Sequence, residues 1–229
     1  MRAAVPGGWM ASFFELIGSR AEAALRRIAT PRQYPAGATI FYEGDLGEVM
    51  HVIVNGAVSV SMSDVNGSTV MVNVLGPSEL LGEMSALVGD QYRSGTATAI
   101  DDTTTLTISG PQLDGLRELH GSIDRALVSI LALKLRETSL RVLDGTRLDA
   151  RHRVLRQLGS LLSVARTENG IAEIPITQEV LANMAGADRR KANEVLGELE
   201  KLGIVERGTR GRIVVLDPGG LLELGPPGP

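Results

Sequence analysis

The chain has 229 residues, 43% of them hydrophobic, and a formal net charge of −4, enough length for one large or two small domains with real cores. It contains no cysteine, which excludes a disulfide framework, a thiolate-held iron–sulfur cluster and a Cys-type zinc site. No apolar run is long enough to cross a bilayer and the N-terminus lacks the basic-then-apolar order of a signal peptide, so a soluble cytoplasmic protein with no membrane partner is expected.

Residues 1–8 are small, polar or Gly/Pro. From Trp9 to Ile28 apolar residues recur at helical spacing (Phe13, Leu16, Ile17, Leu25, Ile28) and are interrupted at Gly18, which predicts short helices. From Tyr34 to about Ser109 the pattern changes to short apolar or alternating runs: Thr39–Tyr42, Val49–Val54, Ala57–Met62, Thr69–Leu75, Thr96–Ile100 and Thr104–Ile108. Turn signals divide them, including Asn55-Gly56 and Asn66-Gly67, which predict hairpins because a type I′ turn needs φ > 0 at both central residues. Strands at this spacing predict a β-barrel or β-roll.

Helical periodicity returns at about Gln112 and holds to about Thr146. Val128, Leu131, Leu135, Thr138, Val142 and Gly145 step alternately by three and four, a heptad seam of the kind that pairs with its own copy; packing on the chain's own β-domain is the other outcome. Thr138 is the odd member, since a hydroxyl in an apolar seam costs stability without a partner. Asp144-Gly145 weakens the helix, and Asp149 is placed to N-cap the next one, so a domain boundary and hinge are expected there.

The remainder reads as a helix (150–165), a short strand (173–175), a helix (178–184), a tight turn at Ala185-Gly186-Ala187, a helix (189–202) ended by Gly203, and a hairpin of 204–207 with 212–216. Two helices joined by a Gly-containing turn and followed by a basic hairpin form a winged helix-turn-helix. The acidic total hides a local excess of Arg and Lys between Arg151 and Arg212, and a phosphate-binding surface needs only local positive charge. The Gly/Pro-rich tail from Asp217 is expected to be unstructured.

Two groups of residues carry chemistry. Gly82 lets backbone approach a ligand, Glu83 can accept from a ribose hydroxyl, Arg93 offers a fork of donors for two phosphate oxygens, and Ser94 adds a hydroxyl. By spacing alone, Glu83 and Arg93 also fit a surface ion pair. On the helix over 189–202, Ala192, Val195, Leu196 and Leu199 make an apolar face and leave Arg189, Arg190, Asn193 and Glu194 on another. Arg reads guanine, Asn adenine, and Glu accepts from cytosine N4; a merely solvated charged face is the alternative.

Gly82-Glu83 followed by Arg93-Ser94 resembles the phosphate-binding cassette of the cyclic AMP receptor protein/FNR family. Lys134-Leu135-Arg136-Glu137-Thr138-Ser139 is similar to the part of that family's long helix where a Thr-Ser pair meets adenine. The strand order, Gly56, Gly67, Asp149 and the winged helix fall in the family's order, so the resemblance covers Trp9 to Leu216. It implies that Arg93 and Ser94 bind the cyclic phosphate, that Gly82 and Glu83 hold the ribose 2′-hydroxyl, and that Thr138 bonds the base while Ser139 reaches in from the partner subunit. Met84, Ser85 and Gly95 complete the expected lining, with Gly95 standing where the family often has Ala. The family's usual Ser-Arg-Glu-Thr-Val-x-Arg is replaced here by Asp188-Arg189-Arg190-Lys191-Ala192-Asn193-Glu194, which keeps Arg189 but reverses the charge at Arg190 and Glu194. Thr177, Lys191, Arg207, Arg210 and Arg212 are the expected phosphate contacts, which position rather than specify.

The expected fold is therefore α+β. A β-roll (jelly-roll-like) cyclic-nucleotide-binding domain spans 9–120, a dimerisation helix and hinge 121–148, a winged helix-turn-helix DNA-binding domain 149–217, and a flexible tail 218–229. Implied partners are double-stranded DNA, cyclic AMP or cyclic GMP as allosteric ligand, a second copy of the chain, and RNA polymerase; no cofactor or metal is expected. His51, His120 and His152 read as structural or surface residues. No serine elbow, P-loop or metal-ligand spacing points to an enzyme. A ligand-independent DNA binder and a nucleotide sensor acting through protein contacts are the alternatives.

Overall fold

A computed structural model describes residues 12–63, 67, 69–88 and 92–225, which fall into two compact units, one ending at Arg136 and one beginning at Glu137. The first unit opens with α1 (Phe13–Ile28), where the expected break at Gly18 (φ 76°) is a kink inside one helix; Trp9 lies outside the described residues. Eight strands follow: β1 (Thr30–Tyr34), β2 (Thr39–Phe41), β3 (Val49–Asn55), β4 (Val58–Ser63), β5 (Thr69–Leu75), β6 (Leu80–Leu81), β7 (Thr96–Ala99) and β8 (Thr103–Ser109), with α2 (Glu83–Val88) between β6 and β7. They form two four-stranded antiparallel sheets ordered β1-β8-β3-β6 and β2-β7-β4-β5. Ile53 and Leu81 of one sheet meet Val58, Leu75 and Ala97 of the other in a shared apolar cluster.

The hairpin expected at Asn55-Gly56 does not form. β3 pairs with β6 and β8 while β4 pairs with β5 and β7, so this turn hands the chain from one sheet to the other. The hairpin between β4 and β5 is present, with Ser63 opposite Thr69; Asn66 in its turn lies outside the described residues.

The helical stretch expected as one element from Gln112 is two, α3 (Gly110–Leu119) and α4 (Gly121–Arg147). His120 breaks it with φ −137° and ψ 84°. The first half of α4 buries Ile123, Ala126, Leu127 and Ile130 in the cluster that holds α1. Val128, Leu135 and Val142 of the seam are 67%, 69% and 66% exposed, and within the first unit Val128 and Leu135 do not cover its β-sheets.

The second unit carries α5 (Ala150–Leu161), β9 (Arg166–Glu168), β10 (Ile171–Thr177), α6 (Gln178–Met184), α7 (Arg189–Lys201), β11 (Val205–Arg207), β12 (Arg212–Val215) and α8 (Pro218–Leu224), with one sheet ordered β11-β12-β10-β9. Asp149 caps α5 as expected, accepting from His152 N at 2.9 Å, and α5 is four residues shorter than expected, ending at Leu161 instead of 165. β9 was not expected and β10 is longer than the run over 173–175, because Asn169 (φ 52°) and Gly170 (φ 83°) turn a two-residue hairpin between them. The flexible tail is also corrected. Asp217 accepts from Gly220 N at 3.0 Å and Pro218 opens α8, a helix start in cap and in φ. Leu221 is fully buried, and α8 packs on α5. Among the described residues no helix is long and apolar enough to cross a membrane.

Replacing Leu221 by Ala removes a fully buried side chain and is expected to destabilise the second unit by about 2–4 kcal/mol. Chemical denaturation followed by a probe in α5–α8 measures this, and an unchanged midpoint would separate α8 from the core.

Candidate functional site

Arg93 is 5% exposed between the two sheets. Its Nη2 donates to Val49 O at 2.7 Å, and its Nη1 donates to Ser85 Oγ at 2.9 Å and Gly82 O at 3.2 Å. The Phe41 ring lies under the guanidinium, with Cζ 4.2 Å from its centroid. These supports are dipoles and a ring face; no carboxylate among the described residues forms an ion pair with Arg93, and its buried Nε has no partner. Burial pushes the guanidinium pKa down, with Asp45 and Glu83 opposing at longer range, yet an arginine keeps its proton. The result is a buried cation with donors to spare, the chemistry of an anion site. Gly82, at φ 74°, is the one residue type that fits its place, because a Cβ there would lie 2.1 Å from Arg93 Nη1.

Glu83 opens α2 and is 6% exposed. It does not pair with Arg93. Its Oε1 accepts from Lys134 Nζ at 2.8 Å, and Lys134 also donates to Leu80 O at 3.2 Å. Lys134 sits in the family-like helix motif, yet its role was not read from the sequence; a lysine beside a heptad seam looks like solvated surface until α4 is seen to pass the start of α2. Of the other expected residues, Ser85 is buried against Arg93, Gly95 is buried beside Ser61 O, and Met84 and Ser94 are exposed. Thr138 and Ser139 are exposed positions on α4 in the second unit.

Behind the pocket, His51 packs against Phe41 and Tyr34, with ring centroids 6.0 and 6.4 Å away. Its Nδ1 lies 3.2 Å from Thr105 Oγ1. Burial first, then Arg93 and Arg32, lower its pKa to about 4, so a neutral ring backs the charged one.

In the second unit, Asp188 caps α7, accepting from Lys191 N at 2.7 Å. Arg189 and Arg190 stand exposed at its first turn. Glu194 is held on its own helix, 3.0 Å from Lys191 Nζ and 3.8 Å from Arg190 Nη1. Asn193 Oδ1 is buried without a partner, which turns that acceptor away from the outer face. Thr177 caps α6, accepting from Val180 N at 3.4 Å. On the wing, Arg207 pairs with Glu200 at 2.9 Å and Arg212 with Glu173 at 3.2 Å; the side chain of Arg210 lies outside the described residues. Of the expected phosphate contacts, Lys191, Arg207 and Arg212 each hold a carboxylate.

Residues 31–120 match the family of cyclic nucleotide-binding domains and residues 152–224 the family of Crp-like helix-turn-helix domains. One chain carrying both is a DNA-binding transcription regulator with a cyclic nucleotide-binding domain. It is 33% identical over 178 residues to the Cyclic AMP receptor protein of Thermus thermophilus, spanning 77% of this chain and 80% of that one. It is 29% identical over 196 residues to the CRP-like cAMP-activated global transcriptional regulator of Mycobacterium tuberculosis, spanning 84% and 87%. Its fold matches the structure of FixK2 from Bradyrhizobium japonicum with a TM-score of 0.74 at 21% identity, over 88% of this chain and 100% of that one. The chain belongs to the CRP/FNR family of transcription regulators.

The neutral His51 gives a pH signature. The unfolded chain takes up a proton near pH 6.5, whereas the native ring resists it down to about 4. The contribution is present in full above pH 6.5 and is lost as pH falls toward about 4, up to about 3 kcal/mol in all. Melting of the wild type and of His51→Gln between pH 7.5 and 4.5 checks this: the wild-type decline should be steeper, and parallel curves would remove His51 from the account.

Proposed function

We propose that the chain is a homodimeric regulator whose affinity for DNA is raised by a cyclic nucleotide, cyclic AMP first, through reorientation of its DNA-binding domains. The observation that carries this is Arg93, a buried cation with no carboxylate partner among the described residues and an unpartnered Nε. A cyclic phosphate supplies the missing anion, with Ser94 at the rim and Ser85 holding the guanidinium. Glu83, with Oε1 on Lys134, turns its remaining acceptor capacity to the ribose 2′-hydroxyl beside Gly82. Thr138, one turn beyond Lys134 on α4, meets the base from its own subunit, and Ser139 reaches the partner's pocket. The names of the relatives in Thermus thermophilus and Mycobacterium tuberculosis favour cyclic AMP; the ribose-phosphate contacts alone serve cyclic GMP equally.

The exposed Val128, Leu135 and Val142 are the face offered to the second copy. Joining both long helices across the two ligands favours a form in which the α7 helices stand about 34 Å apart, one turn of duplex, and enter successive major grooves. Arg189 and Arg190 then read base edges. Because Arg190 and Glu194 depart from the usual family pattern, the operator is not assumed to be the family's common one.

Calorimetry with cyclic AMP and cyclic GMP in parallel, joined to gel shifts on genomic fragments, tests this reading. Arg93→Leu should weaken nucleotide binding by about a hundredfold or more, as expected for two lost charge-assisted hydrogen bonds, and should abolish nucleotide-enhanced DNA binding. Nucleotide-dependent binding retained by Arg93→Leu would refute the pocket. Separately, Leu135→Glu should convert the dimer to a monomer in sedimentation, and an unchanged mass would place the dimer interface elsewhere.

A further inference from the structure

We propose that the junction of α4 and α5 is a braced elbow, held by Asp144 and Arg156, so that the last turns of α4 move with the reading helix as one body. This rests on the ligand-responsive reading above and concerns the route by which the response reaches α7.

Only Leu148 and Asp149 separate α4 from α5, and the sequence places a hinge there. The side chains span that joint. Arg156 Nη1 on α5 donates to Asp144 Oδ1 on α4, and the pair is largely withdrawn from solvent, at 29% and 14% exposure. Arg153 Nη1 donates to Leu148 O at 2.8 Å, inside the joint itself. The other edge of the same guanidinium holds the helix-turn-helix turn, with Nε on Ala185 O at 2.9 Å and Nη2 on Gly186 O at 2.7 Å. Arg151 adds a tie to α7 through Glu198 at 3.0 Å. Arg151, Arg153 and Arg156 of α5 therefore reach α7, the α6–α7 turn and the end of α4.

Bending at Leu148–Asp149 has to part a largely buried ion pair and strip a guanidinium from a main-chain carbonyl, each leaving a group without its partner. An interior pair of this kind sets a discrete arrangement rather than a soft joint. A rotation of α4 at Thr138 is then delivered to α7 without slack, through Asp144, Arg156 and Arg153 as positioning residues that touch neither nucleotide nor DNA.

Two readouts on the full-length protein test this. The first is coupling, the ratio of DNA affinities with and without cyclic AMP. The second is amide exchange over 145–153, which needs no nucleotide. In Asp144→Asn, cyclic AMP should still bind, the ratio should fall from a wild-type coupling of about 5–150-fold to about one, and exchange should quicken about tenfold. The double exchange Asp144→Arg with Arg156→Asp should restore both, which simple loss of folding would not allow. Slow exchange and wild-type coupling retained in Asp144→Asn would overturn the brace. If the wild type shows no nucleotide dependence while exchange still quickens in Asp144→Asn, the brace stands and the ligand-responsive reading falls.

Discussion

A guanidinium at 5% exposure has to be supported by its surroundings, because arginine cannot shed its proton and an isolated charge is costly to bury. The surroundings of Arg93 are assembled from four places: the Val49 carbonyl on β3, the Gly82 carbonyl after β6, the Ser85 hydroxyl on α2 and the Phe41 ring on β2. Each supplies a dipole or a ring face, and none supplies a negative charge. A carboxylate at the same place would satisfy the arginine and close the site to anions. On the proposed reading, the stability forgone by omitting a directly paired counter-ion is returned when an anion binds.

Glu83, one candidate for that counter-ion, is engaged instead by Lys134. The pair is largely buried, 7% exposed on the carboxylate side and 23% on the ammonium side, so its worth lies in geometry more than in net stability. It fastens the first half of α4 to the start of α2, with Leu80 O as a second anchor for the same ammonium. The long helix is thereby registered on the pocket before any ligand is considered.

Much of this was legible in the sequence, for local reasons. Strand and helix periods, the caps at Asp149 and Asp188, and the identities of Gly82, Glu83 and Arg93 are local signals. Asn55-Gly56 shows where such signals stop: the dipeptide specifies a turn, while the strands that pair on either side are set by tertiary contacts, and here the turn joins two sheets. The partner of Glu83 was hidden because Lys134 lies 51 residues away and is a residue type that is usually solvated. Two further elements carry local signals: Asn169-Gly170 is the same hairpin dipeptide as Asn66-Gly67, and Asp217-Pro218 followed by Leu221-Leu222 is a capped apolar helix start set among the glycines and prolines of the tail.

On the proposed reading, the division of the chain at Arg136–Glu137 separates affinity from switching. A ligand that binds two states equally shifts neither, however tightly it binds. Arg93, Ser85, Gly82, Glu83 and Lys134 belong to one compact unit, so on the proposed reading their contacts with a ribose phosphate are alike whatever the other unit does, and they supply affinity. Differential affinity has to come from groups whose position relative to that unit changes, and on the proposed reading those are Thr138 and Ser139, just beyond the division on α4. The polar break in an otherwise apolar seam then has a physical reason: it is placed where a contact biases an equilibrium as well as contributing to binding.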